Sequence, residues 1–240
     1  MYKNPVLLSS ITHRTVRISP VRQYGFAKGM NSIVVLAQEF LEAAKQYPVL
    51  FSNSPQGELT PVIIVGLKDN LFITETGSWE TGYYVPAFIR RYPYILSETD
   101  SAEGSLSVSI DTDFEGFDTP DGERLFTDDG VATPDLDRAV NFLRLFQEQY
   151  ETTRAFVKHL VDLNIFKAVD ANFALPSGDK YTLGGLSMID EDALNKLSDS
   201  ELVALIRRGY LPWLYAHLYS MTNFSTILNR MGNVVLQKED

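Results

Sequence analysis

A chain of 240 residues with 45% hydrophobic and 22% charged side chains can bury a sizeable core and is too apolar to stay disordered. It has no cysteine, which excludes disulfides, thiolate metal sites, iron–sulfur clusters and thiol nucleophiles. The net charge of −10 is segregated: residues 1–38 hold five Lys/Arg and no acid, whereas residues 98–130 hold eleven Asp/Glu and only Arg124.

The elements follow in chain order. Val16 and Ile18 alternate with Arg17 and Ser19 before Pro20, which predicts a half-buried strand rather than an amphipathic leader helix. Ser32 to Leu36 is apolar and β-branched and predicts a strand; Gln38 to Gln46 has helix formers at helical spacing, stopped by Pro48. Pro61 to Leu67 reads as a buried strand that turns at Asp69-Asn70 and pairs with Leu71 to Thr74 as a hairpin. Pro86 and Pro93 frame one or two helical turns, and Tyr94–Leu96 and Leu106–Ile110 add two strands.

The second half opens on a long helix. Thr133 suits its N-cap, Pro134 its first position, and Asp135 and Asp137 its positive end. Ala139, Leu143, Phe146, Tyr150, Thr153, Val157 and Leu160 recur at four- and three-residue spacing, with Phe142, Leu145, Phe156 and Val161 widening the stripe. Residues 171–175 and 180–183 predict a hairpin across a turn at 176–179, and Gly184-Gly185 a bulge. Ser198 with Glu201 forms a capping box, Gly209 closes that helix, and Pro212 starts a last one running past Leu228. The fold class is therefore α+β: antiparallel strands and hairpins mostly in the first half, then a long core helix and C-terminal helices. A single domain over 1–240 is expected, with an internal division near 131 between strand-rich and helix-rich parts.

No run of apolar residues reaches the ~20 that a membrane-spanning helix needs, and the first ten residues lack a leader pattern. A cytoplasmic location is expected, with export to the cell surface by a leader-independent route as the alternative. The short basic arm falls short of the stripe that a nucleic-acid partner requires. The acidic run Asp111-Thr-Asp113-Phe-Glu115-Gly116 opens like a calcium loop, but Gly122 stands where the bidentate Glu belongs. Asp111 and Asp113 remain as a weak cation candidate. His13, His159 and His217 show no metal-ligand spacing, and no phosphate loop, dinucleotide fingerprint or serine elbow occurs, so no metal or cofactor is expected.

The richest cluster is Trp79, Tyr83, Arg90, Arg91 and Tyr92, to which His13 is added as a ligand-binding candidate. A guanidinium donates in a fork and stacks on rings, a chemistry suited to anions and peptide carboxylates. The plainer alternative is that Arg90 or Arg91 pairs with the acidic 98–130 segment.

Several segments recur together in this order: His13-Arg14, Phe26-Ala27-Lys28, Tyr47-Pro48, Tyr83-x-x-Pro86-Ala87-Phe88-x-Arg90-Arg91-Tyr92-Pro93, Gly122-Glu123-Arg124-Leu125-Phe126, Leu175-Pro176-x-Gly178, Leu183-Gly184-Gly185-Leu186 and Asn223-Phe224. On these the chain resembles the SapC family of bacterial proteins over nearly its whole length, and not the membrane permease that shares the name. The resemblance implies a link to a bacterial surface layer or to a nutrient- or halogenase-associated pathway, and it brings no assigned catalytic residue. The expected function is a non-catalytic binding or accessory protein with a protein, peptide or anionic partner. The alternatives are an enzyme assembled from dispersed residues such as His13, Tyr83, Arg90 and Asp111, and a surface-layer component.

Overall fold

The computed structural model describes residues 1–54, 57–98, 106–174 and 180–236. Ten strands and seven α-helices alternate along the described chain. They are β1 (Pro5–Leu7), β2 (Arg17–Ile18), β3 (Ser32–Val34), α1 (Phe40–Ala43), β4 (Val49–Asn53), β5 (Leu59–Ile64), α2 (Ala87–Arg90), β6 (Tyr94–Glu98), β7 (Leu106–Asp111) and β8 (Glu123–Arg124). After these come α3 (Pro134–Asp162), β9 (Phe166–Ala174), β10 (Lys180–Ile189), α4 (Glu191–Leu194), α5 (Asp199–Arg207), α6 (Leu211–Ser220) and α7 (Phe224–Leu236). All sheet pairings are antiparallel, and with the long helix and the C-terminal helices the fold is α+β.

The chain packs as two compact units: Met1–Phe26 with Ala87–Glu148, and Ala27–Pro86 with Gln149–Asp240. The first unit is built on a three-stranded sheet in the order β1-β7-β6 and the short ladder β2-β8. Its core gathers Val16, Ile18, Tyr92, Ile110, Phe114, Leu125, Phe126 and Leu136. Tyr92 stands at the centre, its ring 4.3 Å from Phe26, 5.4 Å from Phe114 and 5.5 Å from Tyr2. These are edge-on and tilted contacts, the geometries aromatic pairs prefer.

The start of the chain is locked to this unit through one carboxylate. Asp111 is fully buried, and its oxygens accept from the backbone N–H of Asn4 (2.8 Å), Lys3 (3.0 Å) and Asp113 (3.2 Å) and from the Tyr92 hydroxyl (3.2 Å). Burial alone would raise its pKa, but these donors outweigh it and hold the carboxyl below its ordinary value.

The second unit carries a five-stranded sheet in the order β3-β5-β4-β10-β9. Residues 59–64 form β5, an interior strand, but they do not pair with 71–74: both edges of β5 are taken, by β3 and β4. The chain reverses instead through Gly66, where an added Cβ would meet the Asp69 carbonyl at 1.8 Å, and Ile73 bridges to Trp79. The expected helix over 38–46 is also shorter. Ala37–Glu39 is a 3-10 turn, and the Glu39 carboxylate accepts from the Leu36 N–H, so helical hydrogen bonding proper begins at Phe40. The β9–β10 hairpin is longer than 171–183, with its register shift between Leu183 and Leu186 and Gly185 at φ 72°, as a bulge requires. The turn at 176–179 lies outside the described residues.

Helix α3 follows the predicted stripe: Leu143, Phe146, Thr153, Phe156, Val157 and Leu160 are buried, while Leu145 and Val161 turn to solvent. The Ser198–Glu201 capping box and Gly209 at φ 72° bound α5. The single last helix becomes two, because a 3-10 turn at Met221–Asn223 separates α6 from α7. Around that break Ser220 accepts from the Val49 N–H, and Asn223 donates to the Ala44 and Tyr47 carbonyls.

His217 on α6 is fully buried. Its Nδ1 lies 2.7 Å from the Val49 carbonyl and its Nε2 accepts from the Ile189 N–H at 3.1 Å, so the ring must be neutral with its proton on Nδ1. Burial, only partly offset by the Val49 carbonyl, pushes its pKa down from 6.5 to about 4. Unfolded chains take up this proton below pH 6.5 and the folded protein does not, so stability falls as pH drops from 6.5 toward 4 and levels off below. The loss from this group is roughly 3 kcal/mol. Urea unfolding across pH 7 to 4 should show the decline in the wild type and a flatter profile in His217→Gln; parallel profiles would refute the assignment. In the first unit, Asp111→Ala leaves the Lys3 and Asn4 N–H groups without their acceptor and should cost about 3 kcal/mol. Hydrogen exchange at those two amides should rise with it, and unchanged protection would show that the carboxylate does not hold the strand.

Candidate functional site

The segment that carries the two neighbouring arginines is a single helical turn, too short to hold itself. Tertiary contacts fix it: Ala87 and Ile89 of α2 are buried, and the turn is closed by Arg91 N–H to the Ala87 carbonyl and Tyr92 N–H to the Ile89 carbonyl. A cis Tyr92–Pro93 peptide then leads into β6.

The adjacent arginines have different surroundings. Arg91 lies among rings, its guanidinium carbon 4.3 Å from the centre of Phe88, 4.8 Å from Phe146 and 5.8 Å from Tyr2. Burial pushes the Tyr2 hydroxyl up to about 12, against the opposing pull of Arg91. Arg91 is thus embedded in an aromatic cage that belongs to the first unit's own packing. Arg90 is exposed, 5.4 Å from the Phe142 ring centre, and lines a cleft of about 640 Å³.

That cleft lies wholly within the first unit. Ile18, Ile89 and Leu125 supply apolar wall, Tyr24 and Tyr94 supply phenols, and Arg22 joins Arg90 as a second cation. Asp121, Glu123 and Asp135 face the same space. Asp135 is engaged by Arg138 one helical turn along α3. Burial and the charge of Asp135 both raise the Tyr94 pKa, so this phenol stays a hydrogen-bond donor. Gly122 makes the arrangement sterically possible: a Cβ there would stand 2.7 Å from the Ile18 backbone, so β8 can approach β2 only without one.

The predicted site residues are therefore divided. Arg90 lines the cleft and Arg91 stands in its cage. Tyr92 is mainly core, with part of its surface reaching the cleft. His13 closes a turn: its Nδ1 accepts from the Ser9 N–H at 3.1 Å, and its ring lies edge-on to Phe117 at 6.4 Å. Trp79 and Tyr83 belong to the second unit. There the buried Trp79 donates to the Tyr47 hydroxyl at 3.3 Å, and Tyr83 lies 4.8 Å from the guanidinium carbon of Arg230. Arg230 is in turn held by both oxygens of Glu80, at 2.6 and 3.1 Å. Asp111 is occupied as described and Asp113 is exposed; among the described residues, no group of three or more His, Asp or Glu is placed to hold a metal ion.

The sequence pattern did not single out Arg22, Tyr24, Tyr94, Asp121, Glu123 and Asp135, which also line the cleft. The available signal was the charge segregation itself, since Arg22 comes from the acid-free arm and Asp121 and Glu123 from the acidic run.

Among the described residues no helix is long and apolar enough to cross a membrane. No curated protein and no solved structure matches the chain. The SapC family model matches residues 8–227, and the chain belongs to the SapC family.

Proposed function

We propose that this protein is a non-catalytic binding or accessory protein, and that the cleft of its first unit seats an anionic or peptide ligand. The observation that carries this reading is the convergence of Arg22, Arg90, Tyr24 and Tyr94 on one concave space of about 640 Å³. That volume falls within the roughly 300–1,000 Å³ usual for ligand sites, and its mix of apolar wall with a few polar groups is the usual composition. Guanidinium groups beside phenols bind carboxylates through charge-assisted hydrogen bonds that persist where neutral ones are lost to water.

An enzyme built on the dispersed set has weaker support. Asp111 is sealed in the core with both oxygens accepting, so it has no free lone pair turned to solvent for base chemistry. His13 has its Nδ1 committed to the Ser9–His13 turn.

Calorimetric titration of short peptides with free carboxyl termini tests the reading. Arg90→Ala should weaken binding by about 10- to 100-fold, the worth of one hydrogen bond to a charged group. Its unfolding midpoint should stay near that of the wild type, since the side chain is exposed. Wild-type affinity in the variant would remove Arg90 from the site.

A further inference from the structure

Accepting the cleft as the ligand seat, we propose that its ligand is dipolar: a short peptide carrying a free carboxylate and, a few bonds away, an ammonium or guanidinium group.

The argument rests on the charges that line the space. A seat for a simple anion would present cations and neutral donors. Here Arg22 and Arg90 are accompanied by Asp121, Glu123 and Asp135. Arg138 draws off one of these, Asp135. Asp121 and Glu123 form no ion pair within 4 Å with any described residue, and neither does Arg22. Arg22 thus shares one cleft with Asp121 and Glu123 without closing on either. Two unit charges in such a partly solvated space attract by about 4 kcal/mol at 4 Å, and the attraction falls inversely with distance. Charges held further apart than that leave room for a ligand whose own two charges can contact each side.

A second recess extends the same surface. It has a volume of about 440 Å³, shares Ser19, Pro20, Arg22 and Asp121 with the first, and adds Phe114 and Glu115. It brings another carboxylate and no further cation. The local balance across both recesses is therefore acidic, and a phosphate or a dicarboxylate would meet net repulsion. A ligand that contributes one positive group of its own is relieved of that repulsion. In this arrangement its carboxylate reaches Arg90 or Arg22, its cationic group reaches Asp121 and Glu123, and an apolar side chain between them lies against Ile89, Tyr24 and Tyr94.

The test is titration of the full chain with the dipeptide Lys-Phe, both termini free, beside three controls. These are its C-terminal amide, which lacks the carboxylate; Nα-acetyl-norleucyl-phenylalanine, which keeps only the carboxylate; and inorganic phosphate. The free dipeptide should bind, and each control should bind at least about tenfold more weakly, the loss of one charge-assisted contact. In the double variant Asp121→Asn, Glu123→Gln, the free dipeptide should lose its advantage over the carboxylate-only control. The variant exchanges exposed side chains only, and unchanged circular dichroism checks that it is folded. If the carboxylate-only control or phosphate binds the wild type as well as the free dipeptide, the site is an anion site. The dipolar inference then fails while the proposed binding function stands. Equal preference for the free dipeptide in the double variant overturns it too. If none of the four binds the wild type, both the inference and the proposed peptide or anion seat fall.

Discussion

One buried carboxylate organises the first unit. Isolated in an apolar core, the Asp111 charge would cost several kcal/mol. Four donors offset that cost, and they come from three separate stretches of chain: residues 3 and 4, residue 92 and residue 113. The same side chain therefore sets the register of β1 on β7, with Pro5 opposite Asp111, and anchors the Tyr92 ring among Tyr2, Phe26 and Phe114. The position of α2 follows. A single turn has no stability of its own, and its end is tied down by Tyr92. Arg90 is presented to the cleft because the residue two places on is fixed in the core.

The second unit solves a similar problem with neutral groups. Strands β4 and β10 pair over only two residues, Leu186 with Ser52 and Ser187 with Phe51. Beyond that point the ladder ends while the backbone is still buried. Two side chains of α6 take over: Ser220 accepts from the Val49 N–H, and His217 joins the Val49 carbonyl to the Ile189 N–H. An imidazole spans the gap because it can donate at one nitrogen and accept at the other. The arrangement requires the neutral ring, and this is why its pH dependence is of opposite origin to that of Asp111. The histidine works only without its second proton and the aspartate only without its first, so acid weakens both.

Local signals were the legible ones. Capping at Ser198, the left-handed closure at Gly209, the bulge at Gly185 and the stripe on α3 each depend on residues within a few positions, and the structure has all four. Strand partnership was not legible, because it is decided by competition. Leu71–Thr74 reads as the natural partner of β5 until β3 and β4 occupy both of its edges. The aromatic and arginine cluster failed for a related reason. The boundary between the two units falls at residues 86 and 87, inside the cluster, so neighbours in sequence serve different cores. Tyr83 took Arg230, some 150 residues along the chain, as its cation rather than Arg90. The residues that share the cleft with Arg90, Arg22 and Asp121 among them, are likewise remote in sequence and could be found only as blocks of charge.

Those blocks acquire a meaning through the two-residue ladder β2-β8. It sets Arg17 opposite Arg124, a like-charge pair that would oppose strand pairing if the guanidinium groups faced each other. They do not: Arg17 donates to the Gly122 carbonyl, and Arg124 turns to Asp128 and the Arg14 carbonyl. With the repulsion diverted onto acceptors, the basic arm can run alongside the acidic segment, and Arg22 comes to share a cleft with Asp121 and Glu123. Screening in physiological salt acts over about 8 Å. In a concave space with an apolar wall, charges within that distance of one another interact far more strongly than the scattered charges of the remaining surface do. The segregation that shows in the sequence as an imbalance between two distant segments is, in the folded unit, a short-range field of mixed sign. Under the proposed function, a field of that kind would select a ligand by the placement of its charges as well as by its net charge.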